Sequence, residues 1–459
     1  MKHGTTPIET AYLGGRILTL DPANPIAQAI ACTDGYIVAV GTDTDILALC
    51  DPQTEIIPLE GDFVVPGRMD AHRTAILNVF EDQYWKIDPV WDLDSILEEG
   101  EIYLEEGPGG TVFGYGFDPH VLEDYPAPDD RQSLLDQITD RRPVALLGRD
   151  GITLWTNGYA ASLLQQHQEA QGLDRLSTDD ALTFLVDIDP LDIARAFQDL
   201  TGAAAANGFT ALSSYGTPDI FRRLLSEALY QHPDQAMFPQ MRILDSRFLC
   251  GEGEETPYLG DAGPSGLWEP TMVDFLLVDS DALTYLAEGR FAALAMEAAQ
   301  DGKAVHVEAM DLPSVRLACQ AFESIREAGY GDTPLILATD CPLQSLAGEY
   351  PHWDTFACTW VTSEFDNRMV SMAQTTEEVY RFATVEGAKL FGLAAQAGQI
   401  KVGYRADFAR YGQDPYSYAL TDLASVYAEQ TIISGEVAFD WEEMNHKADY
   451  DMMMKGQLI

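Results

Sequence analysis

The sequence predicts an α/β protein whose middle is a barrel of alternating strands and helices and whose two ends are rich in strands. Between about residues 68 and 340, short apolar runs alternate with amphipathic segments, which is the pattern of successive βαβ units. Residues 9–62 and 400–440 are instead predicted as short strands separated by turns. Two β-rich ends around an α/β middle indicate one composite β-sandwich built from both termini, with the barrel at 63–399.

The N-terminal part of the predicted sandwich contains four strand-like runs, at residues 11–13, 15–20, 26–32 and 36–41. Turn signals lie between the second and third of these segments, at Asp21-Pro22 and Asn24-Pro25, and between the third and fourth, at Asp34-Gly35. Residues 403–411 and 431–438 have the same strand-like character near the other end of the chain.

The predicted barrel has six candidate strands, at residues 68–72, 209–214, 240–246, 272–279, 304–308 and 334–339. Amphipathic stretches at 287–300 and 313–328 are predicted helices. A complete barrel of this type has eight strands, so we expect a shortened one. Two further strand-like runs, 111–114 and 143–147, fall in a region from 76 to 165 that we predict to be an insertion over the barrel mouth.

Composition limits the possible partners. The 459 residues carry a net charge of -47, from 74 acidic and 27 basic side chains, yet 46% of the chain is hydrophobic. We therefore expect a folded protein with an acid-coated surface, as suits the salt-rich cytoplasm of a halophilic organism, where screening weakens self-repulsion. Nucleic acid and anionic membranes are disfavoured partners.

Cysteine spacing and the N-terminus indicate the compartment. The six cysteines include no Cys-x-x-Cys pair, so reduced thiols are the simplest interpretation. Residues 1–10 lack an apolar signal core, and no later run approaches the roughly 20 apolar residues of a membrane span. We expect a cytoplasmic protein that is not membrane-bound.

The segment Val64-Val65-Pro66-Gly67-Arg68-Met69-Asp70-Ala71-His72-Arg73-Thr74 carries the most specific motif. On an extended strand, residues 72 and 74 point to the same face, so a histidine at both positions would clasp one metal ion. Thr74 offers only a neutral hydroxyl, which is a poor ligand for zinc. The segment resembles the first barrel strand of the amidohydrolase superfamily, Pro-Gly-x-x-Asp-x-His-x-His, up to His72.

Other phrases strengthen this resemblance. Residues 34–41 and 403–408 are similar to the family's DGrIxxVG and GxxADl signatures. Residues 114–118 and 150–157 look like the GxGwd and DGHxxWxN phrases of the branch that includes N-substituted formamide deformylases, with Ile152 in place of the histidine. The resemblance implies a TIM-like metal-hydrolase barrel and substrate binding by Arg149, Asp150 and Asn157. The alternative that these three residues only build a turn stays open.

The resemblance also implies a reduced metal site. His72 matches the first-strand histidine, His306 the fifth-strand histidine, and Asp340 the last-strand proton shuttle, although an aspartate there could instead cap a helix. Glu308 shares a face with His306 by period two and is a further candidate. The fourth-strand lysine is absent, and Asp274 could supply a carboxylate there or be a solvated acid. Only 34 positions separate residues 306 and 340, so the sixth-strand histidine is predicted to be deleted together with strands six and seven.

Two functions from different classes remain. Two imidazoles and a carboxylate can hold one zinc or other divalent ion with an open position, which implies a hydrolase acting on a non-peptide C–N bond of a small-molecule substrate. The alternative is a non-catalytic homologue with no metal and a role in binding or assembly. A homo-oligomer is compatible with either.

Overall fold

A computed structural model describes residues 7–444 except for a set of short segments. The segments outside the description are 71–73, 89–90, 107–108, 150, 216, 233–241, 247–248, 251–253, 256–267, 271–274, 279–289, 340, 342–345, 347, 353–356, 360–374, 391, 420–421 and 424–425. Four candidate site residues, His72, Asp150, Asp274 and Asp340, therefore lie outside the described residues.

The described residues form strands and helices in the following order. The strands are β1 (Thr10–Leu13), β2 (Arg16–Leu18), β3 (Ile26–Ala27), β4 (Ala29–Thr33), β5 (Tyr36–Gly41), β6 (Glu55–Pro58), β7 (Phe63–Pro66), β8 (Arg68–Asp70), β9 (Trp85–Lys86), β10 (Val112–Phe117), β11 (Val144–Gly148), β12 (Leu154–Thr156), β13 (Phe209–Tyr215), β14 (Arg242–Ser246), β15 (Leu249–Cys250), β16 (Glu254–Glu255), β17 (Trp268–Pro270), β18 (Phe275–Val278), β19 (Ala304–Glu308), β20 (Leu335–Ala338), β21 (Ala357–Thr359), β22 (Phe408–Tyr411), β23 (Gln430–Ile433) and β24 (Glu436–Asp440). The α-helices are α1 (Asp43–Leu47), α2 (Ala75–Val79), α3 (Leu93–Glu106), α4 (Pro128–Leu135), α5 (Gly158–Gln171), α6 (Thr178–Leu185), α7 (Pro190–Ala206), α8 (Asp219–Gln231), α9 (Arg290–Gln300), α10 (Leu312–Glu327), α11 (Thr376–Arg381) and α12 (Gly387–Leu390).

Strands from the two ends of the chain share one sheet. Its order is β24-β23-β22-β7-β2-β3, and β22 pairs antiparallel with β7, Phe408 opposite Pro66. A second sheet, β5-β4-β1-β6, packs on it through a common apolar core. In that core the rings of Tyr12 and Phe408 meet edge to face, with centroids 5.1 Å apart. The two ends thus stabilise each other, while the domain boundaries stay a prediction.

The barrel region contains every candidate strand. Each of the six predicted runs overlaps an observed strand, in order β8, β13, β14, β18, β19 and β20. They belong to two sheets, β17-β14-β13-β8 and β16-β15-β18-β19-β20-β21, in which only the β15–β16 pairing is antiparallel. Within the described residues the two sheets are not joined into a closed ring. The α/β class is confirmed, and closure of a TIM-like barrel stays a prediction.

Helices cover one face of the second of these sheets. The predicted amphipathic stretches are α9 and α10, whose buried side chains, including Phe291 and Phe322, pack with Val305 and Val307 of β19. Asp311 begins α10, because its carboxylate accepts a hydrogen bond from the Ser314 amide at 2.7 Å. Residues at alternate positions on β19 and β20 therefore lie on the face away from these helices.

The insertion has a sheet of its own, ordered β12-β11-β10-β9. The two predicted runs are β10 and β11, which pair in parallel. One side of the sheet is packed around Phe117 and Trp155, and the other contacts Phe221 of α8 through Phe113. Its place over a barrel mouth stays a prediction. Among the described helices, none combines the length and apolar character needed to cross a membrane.

Candidate active site

Of the three predicted metal ligands, only His306 lies within the described residues. It occupies the middle of β19, between Leu277 of β18 and Ile336 of β20 in register. The residue is 7% exposed, and burial lowers its pKa from 6.5 to about 3. The imidazole is therefore neutral at pH 7, which is the form that binds metal ions.

Glu308 lies on the same face as His306, as period two predicts. It stands opposite Ala338 in the parallel register and is partly buried. Val305 and Val307 point the other way, into the core formed with α9 and α10. An imidazole and a carboxylate thus occupy the face of β19 opposite α9 and α10, with Glu308 as the last residue of the strand.

The end of β20 lies beside the end of β19. The Ala309 amide donates to the Ala338 carbonyl at 2.9 Å, and β20 ends at that residue. Thr339 follows and is fully buried, with its hydroxyl accepting from the Cys341 amide at 3.0 Å. The hydroxyl of Thr339 thus bonds the backbone two positions further on, directly after β20.

Thr74 is placed among hydroxyl groups. It forms an isolated antiparallel bridge with Ser214 of β13 and precedes α2. The Ser214 hydroxyl accepts from the Ile76 amide at 3.0 Å and lies 2.9 Å from the Thr217 hydroxyl. The neighbourhood of position 74 thus offers neutral hydroxyls, which agrees with the prediction of a missing second histidine ligand.

The metal-ligand set is not assembled within the part of the chain that the structure describes. There, no group of three or more His, Cys, Asp or Glu side chains could hold a metal ion. β18, where the family's lysine would stand, is Phe-Leu-Leu-Val throughout. The proposed set therefore depends on His72 and Asp340 together with His306.

Arg149 lies at the carboxyl ends of the parallel strands β10 and β11. Its amide donates to the Phe117 carbonyl at 3.0 Å, and its Nη2 is 3.8 Å from Oδ2 of Asp118. Asp118 also accepts from the His120 amide at 3.0 Å, and Nδ1 of His120 is 2.7 Å from the same oxygen, Oδ1. Ligands of open parallel sheets bind at this edge.

Charge and hydrogen bonding set the protonation states in this cluster. Burial alone would raise the pKa of Asp118, but the hydrogen bonds from His120 and the charge of Arg149 hold it below its ordinary value. The hydrogen bond to Asp118 in turn raises the pKa of His120. The sequence analysis missed Asp118 and His120, although an aspartate directly after an apolar run was a signal for the first.

Asn157 is fully buried and caps α5. Its Oδ1 accepts from the amides of Ala160 at 2.9 Å and Val144 at 3.1 Å. Its Nδ2 donates to the carbonyls of Thr139 at 2.7 Å and Arg142 at 2.9 Å. These four bonds use the full capacity of the amide, so the geometry favours the structural alternative for this residue.

Comparison with known proteins supports the resemblance. Residues 280–439 match the amidohydrolase family model. This part of the chain is therefore similar to amidohydrolases. The chain is 27% identical over 155 residues to the N-substituted formamide deformylase of Arthrobacter pascens, a match that covers 33% of this chain and 28% of that enzyme. It is 26% identical over 157 residues to the exoenzymes regulatory protein AepA of Pectobacterium carotovorum subsp. carotovorum, covering 34% of each.

These matches show how far the family likeness extends. The chain spans about a third of the length of the curated relatives it matches. A solved structure, an uncharacterized metal-dependent hydrolase from Pyrococcus furiosus, superposes with a TM-score of 0.50 at 15% identity, covering 89% of this chain and 100% of that one. The resemblance that the motifs indicated is confirmed by the family match at residues 280–439, and the likeness of fold extends over most of the chain.

Proposed function

We propose that the protein is a hydrolase that cleaves a non-peptide C–N bond, such as an amide, in a small molecule, using at most one divalent metal ion. The observation that carries the proposal is the face of β19 opposite α9 and α10, where a neutral His306 and Glu308 lie beside the end of β20. In a member of the amidohydrolase family, this edge is where the last-strand aspartate, here Asp340, follows.

The chemistry of the residues fits one metal ion better than two. Neutral His306 can donate a nitrogen lone pair, and His72 and Asp340 would complete three ligands with an open position. The hydroxyls around Thr74 and the apolar β18 provide none of the ligands of a second ion. When bound, a divalent ion polarises the scissile carbonyl and lowers the pKa of attacking water.

The protein residues then supply proton transfer and substrate placement. The Asp340 carboxylate takes a proton from the attacking water and returns it to the leaving nitrogen. Arg149, 19% exposed and 3.8 Å from the Asp118 carboxylate, can place a substrate oxygen with its guanidinium, together with Asp150. We propose water exclusion and orientation as the roles of the surrounding insertion.

A second candidate function is binding or assembly without catalysis. The observation that favours it is the loss of metal ligands: no group of three is found within the described residues, and position 74 is a threonine. Under this alternative, the neutral buried His306 is a core residue of β19.

Hydrolysis of a panel of N-substituted formamides and other small amides, in buffer with molar potassium chloride, separates the two functions. We expect metal-dependent turnover that Asp340→Asn reduces by at least about 100-fold, since general acid-base groups contribute that much or more. Arg405→Gln, which changes a charged residue near the C-terminal sheet, is the control and should retain activity. An unchanged rate in Asp340→Asn would exclude the mechanism, and a protein that turns over nothing and binds no metal would favour the second function.

A further inference from the structure

Arg68 is a buried cation with no anionic partner in the part of the chain that the structure describes. It begins β8 and is 5% exposed, and its Nη2 donates to the Asn207 carbonyl. Its guanidinium carbon lies 4.5 Å from the ring centroid of Phe209 and 5.4 Å from that of Tyr380. No carboxylate among the described residues forms an ion pair with it. Burying a charge in this way is costly unless something compensates it.

Tyr380, which lies over this guanidinium, contacts two further tyrosines. The ring of Tyr380 lies 6.3 Å from that of Tyr411 and 5.2 Å from that of Tyr416. A Cβ atom at Gly208 would overlap the Tyr411 hydroxyl, so this hydroxyl abuts the backbone at Gly208. The Gly208 carbonyl in turn accepts from the Arg68 amide at 2.9 Å, which places the hydroxyl close to the arginine.

The cluster contains no carboxylate and four buried polar atoms. The Nε of Arg68 and the hydroxyls of Tyr380, Tyr411 and Tyr416 are buried, and among the described residues none of them has a partner at hydrogen-bonding geometry. Burial raises the pKa of Tyr380 and of Tyr416, and the charge of Glu377 adds to the effect at Tyr416. These two phenols are therefore protonated at neutral pH and can donate a hydrogen bond. Buried donors in native proteins nearly always have an acceptor.

The surroundings favour a small acceptor. Apolar side chains, including Val65, Val379 and Leu423, enclose the cluster. Tyr411 also lines a surface pocket of about 250 Å³. Dissolved ions in this pocket are therefore separated from the cluster only by the Tyr411 side chain. The pocket carries the carboxylate of Glu429, which disfavours an anion in the pocket itself.

We propose that Arg68, Tyr380, Tyr411 and Tyr416 form a buried binding site for one small monovalent anion of halide size, with chloride as its ordinary occupant. One negative charge balances the guanidinium, and one spherical acceptor serves donors that approach from several sides. The site lies where the chain passes from β7, in the sheet shared by both ends of the chain, to β8, and in the sequence His72 follows the other end of β8. It does not depend on the proposed hydrolase activity.

Anion-specific stability tests the proposal. The thermal unfolding midpoint is measured while potassium chloride replaces potassium gluconate at constant ionic strength. We expect the midpoint to rise with the logarithm of chloride concentration by about 2–4 °C in total, because a ligand that binds only the folded state stabilises it. Arg68→Met should abolish the rise. Arg16→Met removes an exposed arginine that lies 4.8 Å above the Phe63 ring and should leave the rise intact.

A crystal grown with bromide provides a direct readout on the unaltered protein. We expect an anomalous peak within hydrogen-bonding distance of the Arg68 Nε and the tyrosine hydroxyls. Tyr380→Phe, which removes one hydroxyl, should raise the chloride concentration needed for half-saturation several-fold. This variant replaces Arg68→Met in the test if Arg68→Met does not fold. No anion-specific shift in the wild-type protein, or an ordered water without an anomalous signal in the cluster, would overturn the proposal.

Discussion

Replacing Asn157 with alanine separates a structural from a substrate-binding role for this residue. The variant loses four buried hydrogen bonds and leaves the Val144 amide and two carbonyls unpaired. Each bond is worth about 1 kcal/mol net, so we expect the free energy of unfolding to fall by about 4 kcal/mol. Most of the loss should appear as a lower urea midpoint with an unchanged slope.

Ser177→Ala is the matched control. Ser177 caps α6 at the exposed surface, where its hydroxyl accepts from the Asp180 amide at 3.1 Å and donates to the Asp180 carboxylate at 2.7 Å. Its loss should cost about 1 kcal/mol, as is typical of an N-cap. A fall below about 1 kcal/mol for Asn157→Ala, combined with a raised KM, would refute the structural assignment and restore the substrate-binding prediction.

Three further predictions follow from the cluster at the ends of β10 and β11 and from β19. Because Asp118 raises the pKa of His120, an NMR titration should give a His120 pKa above 6.5, and Asp118→Asn should return this pKa toward 6.5. The ion pair between His120 and Asp118 stabilises the fold at pH values below the His120 pKa of the unfolded chain. This stabilisation is lost as the pH rises through the His120 pKa of the folded protein. An unmoved His120 titration would show that the contact does not exist in solution. Arg149→Met should raise KM at least about tenfold with little change in kcat, since a charge-assisted hydrogen bond to substrate is worth about 1.5–3 kcal/mol; an unchanged KM would remove Arg149 from the site. His306→Phe should abolish metal binding while the protein stays folded, because the ring lies in an apolar strand; retained metal affinity would place the ion elsewhere.

The sequence was sufficient for elements with strong periodicity. The alternation around His306 predicted its shared face with Glu308, because one side of β19 had to meet the helices. The apolar runs also located all six barrel strands. β21, with only three residues, was missed because so short a run has no measurable period.

Long-range partners were not predictable from the sequence. The pairing of Arg149 with Asp118 depends on the parallel register of β10 and β11, which brings residues 31 positions apart to one edge. Arg68 passed unnoticed because arginine is ordinarily a surface residue, and only the structure shows it buried among aromatic rings. The motif around Asn157 predicted a substrate-binding role, whereas its hydrogen bonds show that it caps the start of α5.

Metal content tests the central claim most directly. The protein is purified in molar potassium chloride, titrated with zinc, and analysed by elemental mass spectrometry and calorimetry. The account predicts saturation at no more than one ion per chain, with affinity lost in His306→Phe, because Thr74 and the apolar β18 provide no ligands for a second ion. Two tightly bound ions per chain would contradict it.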